Sequence, residues 1–131
     1  INMKNTLKSF NAIWFAVLIL LEHGQANYVP IHVRIMNRRG NGKSIEVHCK
    51  SGDDDLENQV VLDGDEQKWT FKESFWENTL FYCNLKWNEE VFSPFDAFDS
   101  ERDNIGRCFT ICYWLVTEIG LYGYDEESKV W

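Results

Sequence analysis

From Ile31 onward the side chains alternate in character with a period of two: Ile31, Val33 and Ile35 are apolar, with His32, Arg34 and Met36 between and beyond them. The alternation returns at Ile45, Val47 and Cys49 against Glu46, His48 and Lys50. Successive side chains of an extended strand point to opposite faces, so this pattern makes half-buried β-strands and does not fit one stripe of a helix. Between the two runs lie residues 37–43, Asn-Arg-Arg-Gly-Asn-Gly-Lys, whose glycines accept positive φ and close a hairpin loop longer than two residues. Further short strands are expected at 59–62, at 67–72 with Trp69 and Phe71 on one face, and at 79–87, 90–93, 108–117 and 121–124. Turn formers such as Asp63-Gly64-Asp65 divide them. With no sustained apolar 3.6 repeat after residue 27, the spacing predicts an all-β fold, a small antiparallel sandwich or barrel.

Residues 1–26 have a different character. Lys4 and Lys8 precede an uncharged apolar run, residues 12–21, and the small residues Gly24 and Ala26 follow it, the layout of a secretory signal peptide cleaved after Ala26. The run falls well short of the roughly 18 apolar residues that cross a bilayer as a helix, so stable membrane insertion is not expected. The mature domain is then residues 27–131, secreted and extracellular, and it holds all four cysteines, Cys49, Cys83, Cys108 and Cys112. An even number of cysteines in an oxidising compartment predicts two disulfides, which a domain too small for an extensive core needs. If Cys108 and Cys112 share one strand, four steps of ~3.3 Å place them about 13 Å apart, beyond the ~7 Å limit for a bridge. Two pairings remain open, and the expectation leans to Cys49 with Cys112 and Cys83 with Cys108.

Charge narrows the partners. With 13 Lys and Arg against 21 Asp and Glu the net charge is −8, which repels nucleic-acid phosphates and anionic membrane surfaces on average, and no nucleic-acid partner is expected. Gly40-Asn41-Gly42-Lys43-Ser44 imitates the tail of a phosphate-binding loop, but Asn37 stands where its first Gly should be, and a strand follows instead of a helix. Asp53, Asp54, Asp55 and Glu57 offer hard oxygens without the spacing of a calcium loop, and an exposed acidic loop, residues 51–58, is expected. The cysteines lack paired zinc spacing, and His32 and His48 fall at outward strand positions. No catalytic residue, metal ligand or cofactor is assigned, and the chain is not expected to be an enzyme. The aromatics Trp69, Phe71, Phe81, Trp87 and Trp114 recur at period two and are expected in the core.

One ordered set of motifs stands out. Ile45-Glu-Val-His-Cys-Lys-Ser-Gly-Asp-Asp-Asp-Leu56 is followed by Gly64, Trp69-Thr-Phe71, Thr79-Leu-Phe-Tyr-Cys83, Phe95-Asp96-Ala-Phe98, Cys112-Tyr-Trp114 and Gly120. This order resembles the plant self-incompatibility proteins, the S-protein homologues of flowering plants, over nearly all of the mature chain. The resemblance implies a secreted β-sandwich of about eight strands with two disulfides and no catalytic residues or cofactor. Its namesake members are stigma proteins that act as ligands for a pollen membrane receptor and trigger calcium-dependent inhibition of incompatible pollen. One departure is visible: the family usually continues the Asp run with Leu-Gly, whereas Glu57 follows Leu56 here.

Two functional classes follow. The first is a secreted signalling ligand, a monomer recognised by a plasma-membrane receptor through polar loops, since loops vary while strands hold the core. The alternative is a secreted defence-related carbohydrate-binding protein or enzyme. For the ligand, the expected partner contacts are the hairpin, with Arg38, Arg39 and Lys43, and the loop 99–107, with Asp99, Glu101 and Asp103. The Asp run is instead expected to hold its own loop by accepting backbone N–H bonds.

Overall fold

The computed structural model describes residues 28–74, 78–87, 90–91 and 94–131; the expected leader, residues 1–26, and positions 92 and 93 of the strand expected at 90–93 lie outside them. Strands follow in chain order as β1 (Tyr28–Asn37), β2 (Ile45–Lys50), β3 (Asp55–Val61), β4 (Glu66–Ser74), β5 (Leu80–Trp87), β6 (Glu90–Val91), β7 (Phe95–Asp99), β8 (Ile111–Thr117) and β9 (Gly120–Gly123). They form two sheets, one ordered β4-β1-β8-β9 and the other β3-β2-β5-β6, with β7 also pairing β5. The sandwich expected from the alternation is present, its ninth strand being the two-residue β6. No helix among the described residues is long and apolar enough to cross a membrane.

One pairing departs from an all-antiparallel arrangement: β8 runs parallel to β1, from His32 opposite Ile111 to Asn37 opposite Val116. A parallel neighbour needs a crossover rather than a tight turn. Here the chain leaves β7 in one sheet and enters β8 in the other through a helical turn α1 (Ser100–Arg102), a π-helical turn (Asp103–Arg107) and a bend. Pro30 of β1 precedes the first β8 partner, so its missing N–H falls where only β4 lies alongside.

Alternation decides the core. Ile31, Val33 and Ile35 of β1, Ile45, Val47 and Cys49 of β2, and Phe81, Cys83, Leu85 and Trp87 of β5 all point inward and are buried. His32 and His48, one position out of phase, face outward and bond Thr70 and Asp55 at their strand partners' edges. The aromatics link the two layers: Phe81 packs against Trp69 and Phe71 at 5.5 and 4.7 Å, and Phe71 meets Phe98 edge-on at 5.0 Å. Trp69, Phe71 and Trp114 are partly buried against this core, as their spacing predicts.

Both disulfides form, but the expected pairing is corrected: Cys49 bonds Cys83, and Cys108 bonds Cys112. Cys49 and Cys83 are direct register partners on β2 and β5, with Cα atoms 4.0 Å apart. The argument against Cys108–Cys112 assumed a strand starting at Cys108. β8 starts at Ile111, and Cys108 sits in the bend after the π-helical turn, so the two Cα atoms approach to 5.2 Å. Loop-closure entropy then ranks the bridges: removing the first, which spans 34 residues, should cost about 4 kcal/mol, and removing the second, which spans 4, about 2 kcal/mol. Chemical denaturation of Cys49→Ala/Cys83→Ala and Cys108→Ala/Cys112→Ala double variants, with non-reducing peptide mapping of the parent, checks the order; equal losses would contradict it.

Candidate functional site

The strand directions give the sandwich two distinct ends. The hairpin expected between the first two strands is corrected: β1 and β2 belong to different sheets, so residues 38–44 are a loop that crosses between them. The C-terminal ends of β1 and β8 lie side by side, so this inter-sheet loop, the β3–β4 turn and the β8–β9 turn gather at one end. The acidic loop after β2 and the crossover 99–110 gather at the other. The eight residues of β5 separate them, roughly 25 Å at about 3.3 Å per residue. The two segments expected to meet a partner, 38–43 and 99–107, therefore lie at opposite ends.

At the first end the 38–44 loop is held from inside. Asn37 is fully buried; its Nδ2 donates to the carbonyls of Lys43 and Val61, and its Oδ1 accepts the Arg39 amide. The Arg39 side chain is 1% exposed. It lies over the Trp87 ring at 5.2 Å, meets Glu118 at 2.7 Å and donates to the Ser44 carbonyl. Arg39 thus builds the loop, which places it apart from the exposed Arg38 and Lys43. Asp63, across the β3–β4 turn, accepts the amides of Gly40 and Gly42 at 2.9 and 2.8 Å. Both glycines have positive φ, 75° and 77°, the conformation that lets their N–H groups converge on one carboxylate. Those two amides hold Asp63 below its ordinary 3.8.

At the other end Asp103 plays the corresponding role. Its side chain is fully buried and takes Arg102 at 2.8 Å, Arg107 at 3.0 Å and the Asp99 amide at 2.8 Å. Arg107 lies 4.3 Å over the Trp114 ring, and burial draws its guanidinium down from its ordinary value against the support of Asp103. Asp99 caps α1 by accepting the Glu101 amide, which leaves Glu101 as the fully exposed acid of the segment. Asp103, Cys108 and Cys112 bring ligand-type atoms within 4.8 Å of one another, but the sulfurs are bonded to each other and the carboxylate is taken by two arginines, so the cluster does not suit a metal.

The acidic segment is shorter than expected, because β3 starts at Asp55 and leaves 51–54 as the loop. The Asp54 amide donates to Ser51 Oγ, and Asp55 accepts the Glu57 amide and contacts His48 at 2.6 Å. The Glu57 amide and then His48 lower the Asp55 pKa from 3.8. Asp53 and Asp54 are exposed. Glu57, at the position of the visible departure, has φ of 60°.

These loops on this frame have known counterparts. The family described as plant self-incompatibility protein S1 matches residues 32–131. The chain belongs to that family. It is 42% identical over 122 residues to self-incompatibility protein S1 of Papaver rhoeas, covering 91% of this chain and 88% of the relative. It is 31% identical over 116 residues to S-protein homolog 29 of Arabidopsis thaliana, covering 87% and 84%, and 30% identical over 126 residues to S-protein homolog 5 of the same plant, covering 94% and 96%. No solved structure gives a significant match.

Asn37, Asp63 and Glu118 were not legible as loop determinants, because their partners are backbone groups or residues up to 79 positions away. The Asp-Gly turn at 63–64 was the one local signal.

Two outcomes follow for this member of the S1 family. Asp63 is ionised more readily in the folded chain than unfolded, so its contribution is present above about pH 4 and is lost as pH falls through the lowered value. Thermal melts of Asp63→Asn should show a smaller drop in Tm between about pH 6 and pH 3 than the parent; an equal drop would remove Asp63 from the acid response. Glu57→Gly should stabilise the protein by about 0.5–1 kcal/mol, since glycine accepts positive φ without the side-chain penalty. Denaturant midpoints decide it, and a destabilised variant would contradict the conformational argument.

Proposed function

We propose that the chain is a secreted signalling ligand of the self-incompatibility type, cleaved after Ala26 and recognised by a plasma-membrane receptor through loops at the ends of the sandwich. The observation that carries this reading is the similarity to self-incompatibility protein S1 along 91% of the chain. The physical logic supports it. Strand registers and two disulfides fix the frame, so loop residues can change without costing the core. Of the residues expected to meet the receptor, Arg38, Lys43 and Glu101 are exposed and Asp99 is half-buried, whereas Arg39 and Asp103 act by shaping the segments that carry them.

The test starts with expression of the full chain in plant cells. Intact mass of the medium fraction should begin at Asn27 and carry no N-linked glycan, because the chain has no Asn-x-Ser/Thr sequon. The labelled secreted protein should then bind protoplasts of a responsive tissue saturably and protease-sensitively. Arg38→Ala/Lys43→Ala or Asp99→Asn/Glu101→Gln should weaken binding at least about 10-fold with Tm nearly unchanged, the Asn retaining the helix cap. Retention in the cytosol, or no saturable binding to any tissue, would sink the reading. Parent-like binding by both variants with loss in Asp53→Ala alone would move recognition to the acidic loop.

A further inference from the structure

We infer that the end carrying loop 38–44 is the partner-reading end, and that what it takes is an extended, acidic stretch of protein carrying apolar side chains. This rests on the receptor-ligand reading and adds to it the chemistry of the docking segment. An open cavity of about 720 Å³ lies beside this loop, lined by Lys43, Ser44, Ile45, Glu46, Val60 and Lys86. Val60, Glu46 and Lys86 stand abreast on the outer face of the second sheet, one from each of β3, β2 and β5. Val60 on the edge strand and Leu62 just past its end are each 61% exposed, while Val61 between them is buried.

Charge selects the occupant. Arg38 spends its guanidinium on the carbonyls of Asn37 and Gly64, which satisfies its hydrogen bonds without neutralising it. Lys43 is exposed on the same loop, and Lys86 is 3.6 Å from Glu46. Of the carboxylates at this end, Asp63 is engaged by two amides, Glu118 by Arg39 and Asn41, and Glu46 by Lys86 and Asn58, while Asp65 is exposed in the β3–β4 turn. The opposite end carries Asp53, Asp54, Asp99 and Glu101 on a chain of net charge −8, so an acidic segment is repelled there and steered here.

Backbone geometry selects an extended segment. β3 is an edge strand, and an unpaired edge accepts a further strand through its main chain. Its far half is unsuited to this, because the register shifts between His48 and Lys50 and Glu57 has positive φ. Residues 58–61 are the regular stretch, and they lead directly to the cavity and the cations. The loop is also fixed before binding by Asn37, Arg39 and Asp63, which lowers the ordering cost of docking.

The probe is an acetylated and amidated peptide of four Glu-Val repeats, titrated into the secreted, oxidised, ¹⁵N-labelled protein. Amide shifts should concentrate at 42–46, 58–62 and 86. Lys43→Glu/Lys86→Glu should weaken binding at least about 10-fold and Val60→Ser several-fold, with Tm close to the parent's in both; a Lys-Val peptide should not bind. Shifts on another face, indifference to charge reversal, or no saturable binding would overturn the proposal. Sedimentation showing self-association that the charge reversal abolishes would assign the groove to a second copy and overturn the choice of occupant. Peptide binding without cell-surface binding would remove the receptor-ligand reading alone, and cell-surface binding that the charge reversal leaves intact would remove the groove alone.

Discussion

Two inward rows of side chains, Ile31-Val33-Ile35 on one sheet and Ile45-Val47-Cys49 on the other, form the contact on which the rest of the molecule depends. Every one of the six is at most 1% exposed. Because the side-chain period of a strand is two, slipping either strand by one residue would put His32 and Arg34, or Glu46 and His48, into the core. Burial therefore sets register, and register sets everything that follows: Cys49 faces Cys83, Trp69 and Phe71 reach Phe81, and β1 offers a free side for β8 to pair in parallel.

This dependence explains what could be read from the sequence. Strands whose identity lies in local alternation, such as β1, β2 and β5, were legible nearly residue by residue. The disulfide pairing was not, because it turned on whether the chain at Cys108 is extended or folded back. That choice is made by side-chain contacts that composition does not announce, Asp103 holding its neighbours Arg102 and Arg107, and by one distant contact, the Arg107 carbonyl accepting the Glu126 amide. The early start of β3 was hidden for a related reason. Asp55, Glu57 and Asn58 have poor strand propensity, and the strand is imposed by pairing with β2.

The candidate site divides along the same line. Composition announces the charges in 38–43 and 99–107 but not their fates. Arg38 and Arg39 are adjacent and chemically identical, yet one ends in solvent and the other under Trp87 beside Glu118. The cost of burying the Arg39 guanidinium is offset by Glu118 at its Nε and the Ser44 carbonyl at its Nη1. Asp103 obeys the same rule with two arginines and a backbone amide.

Each end of the sandwich thus carries one buried charge that fixes a loop and exposed charges that the loop displays. At the end carrying loop 38–44 the exposed charges are mixed, Arg38 and Lys43 with Asp65, and adjoin apolar Val60 and Leu62; at the crossover end the exposed Asp53, Asp54 and Glu101 make the balance more acidic. With the ends separated by the full length of β5, a partner of one sign is drawn to one end and repelled from the other. A small domain arranged this way gives a partner an orientation before any close contact forms. Loop substitutions can then alter recognition at one end while the buried pairs and the core preserve the frame that presents it.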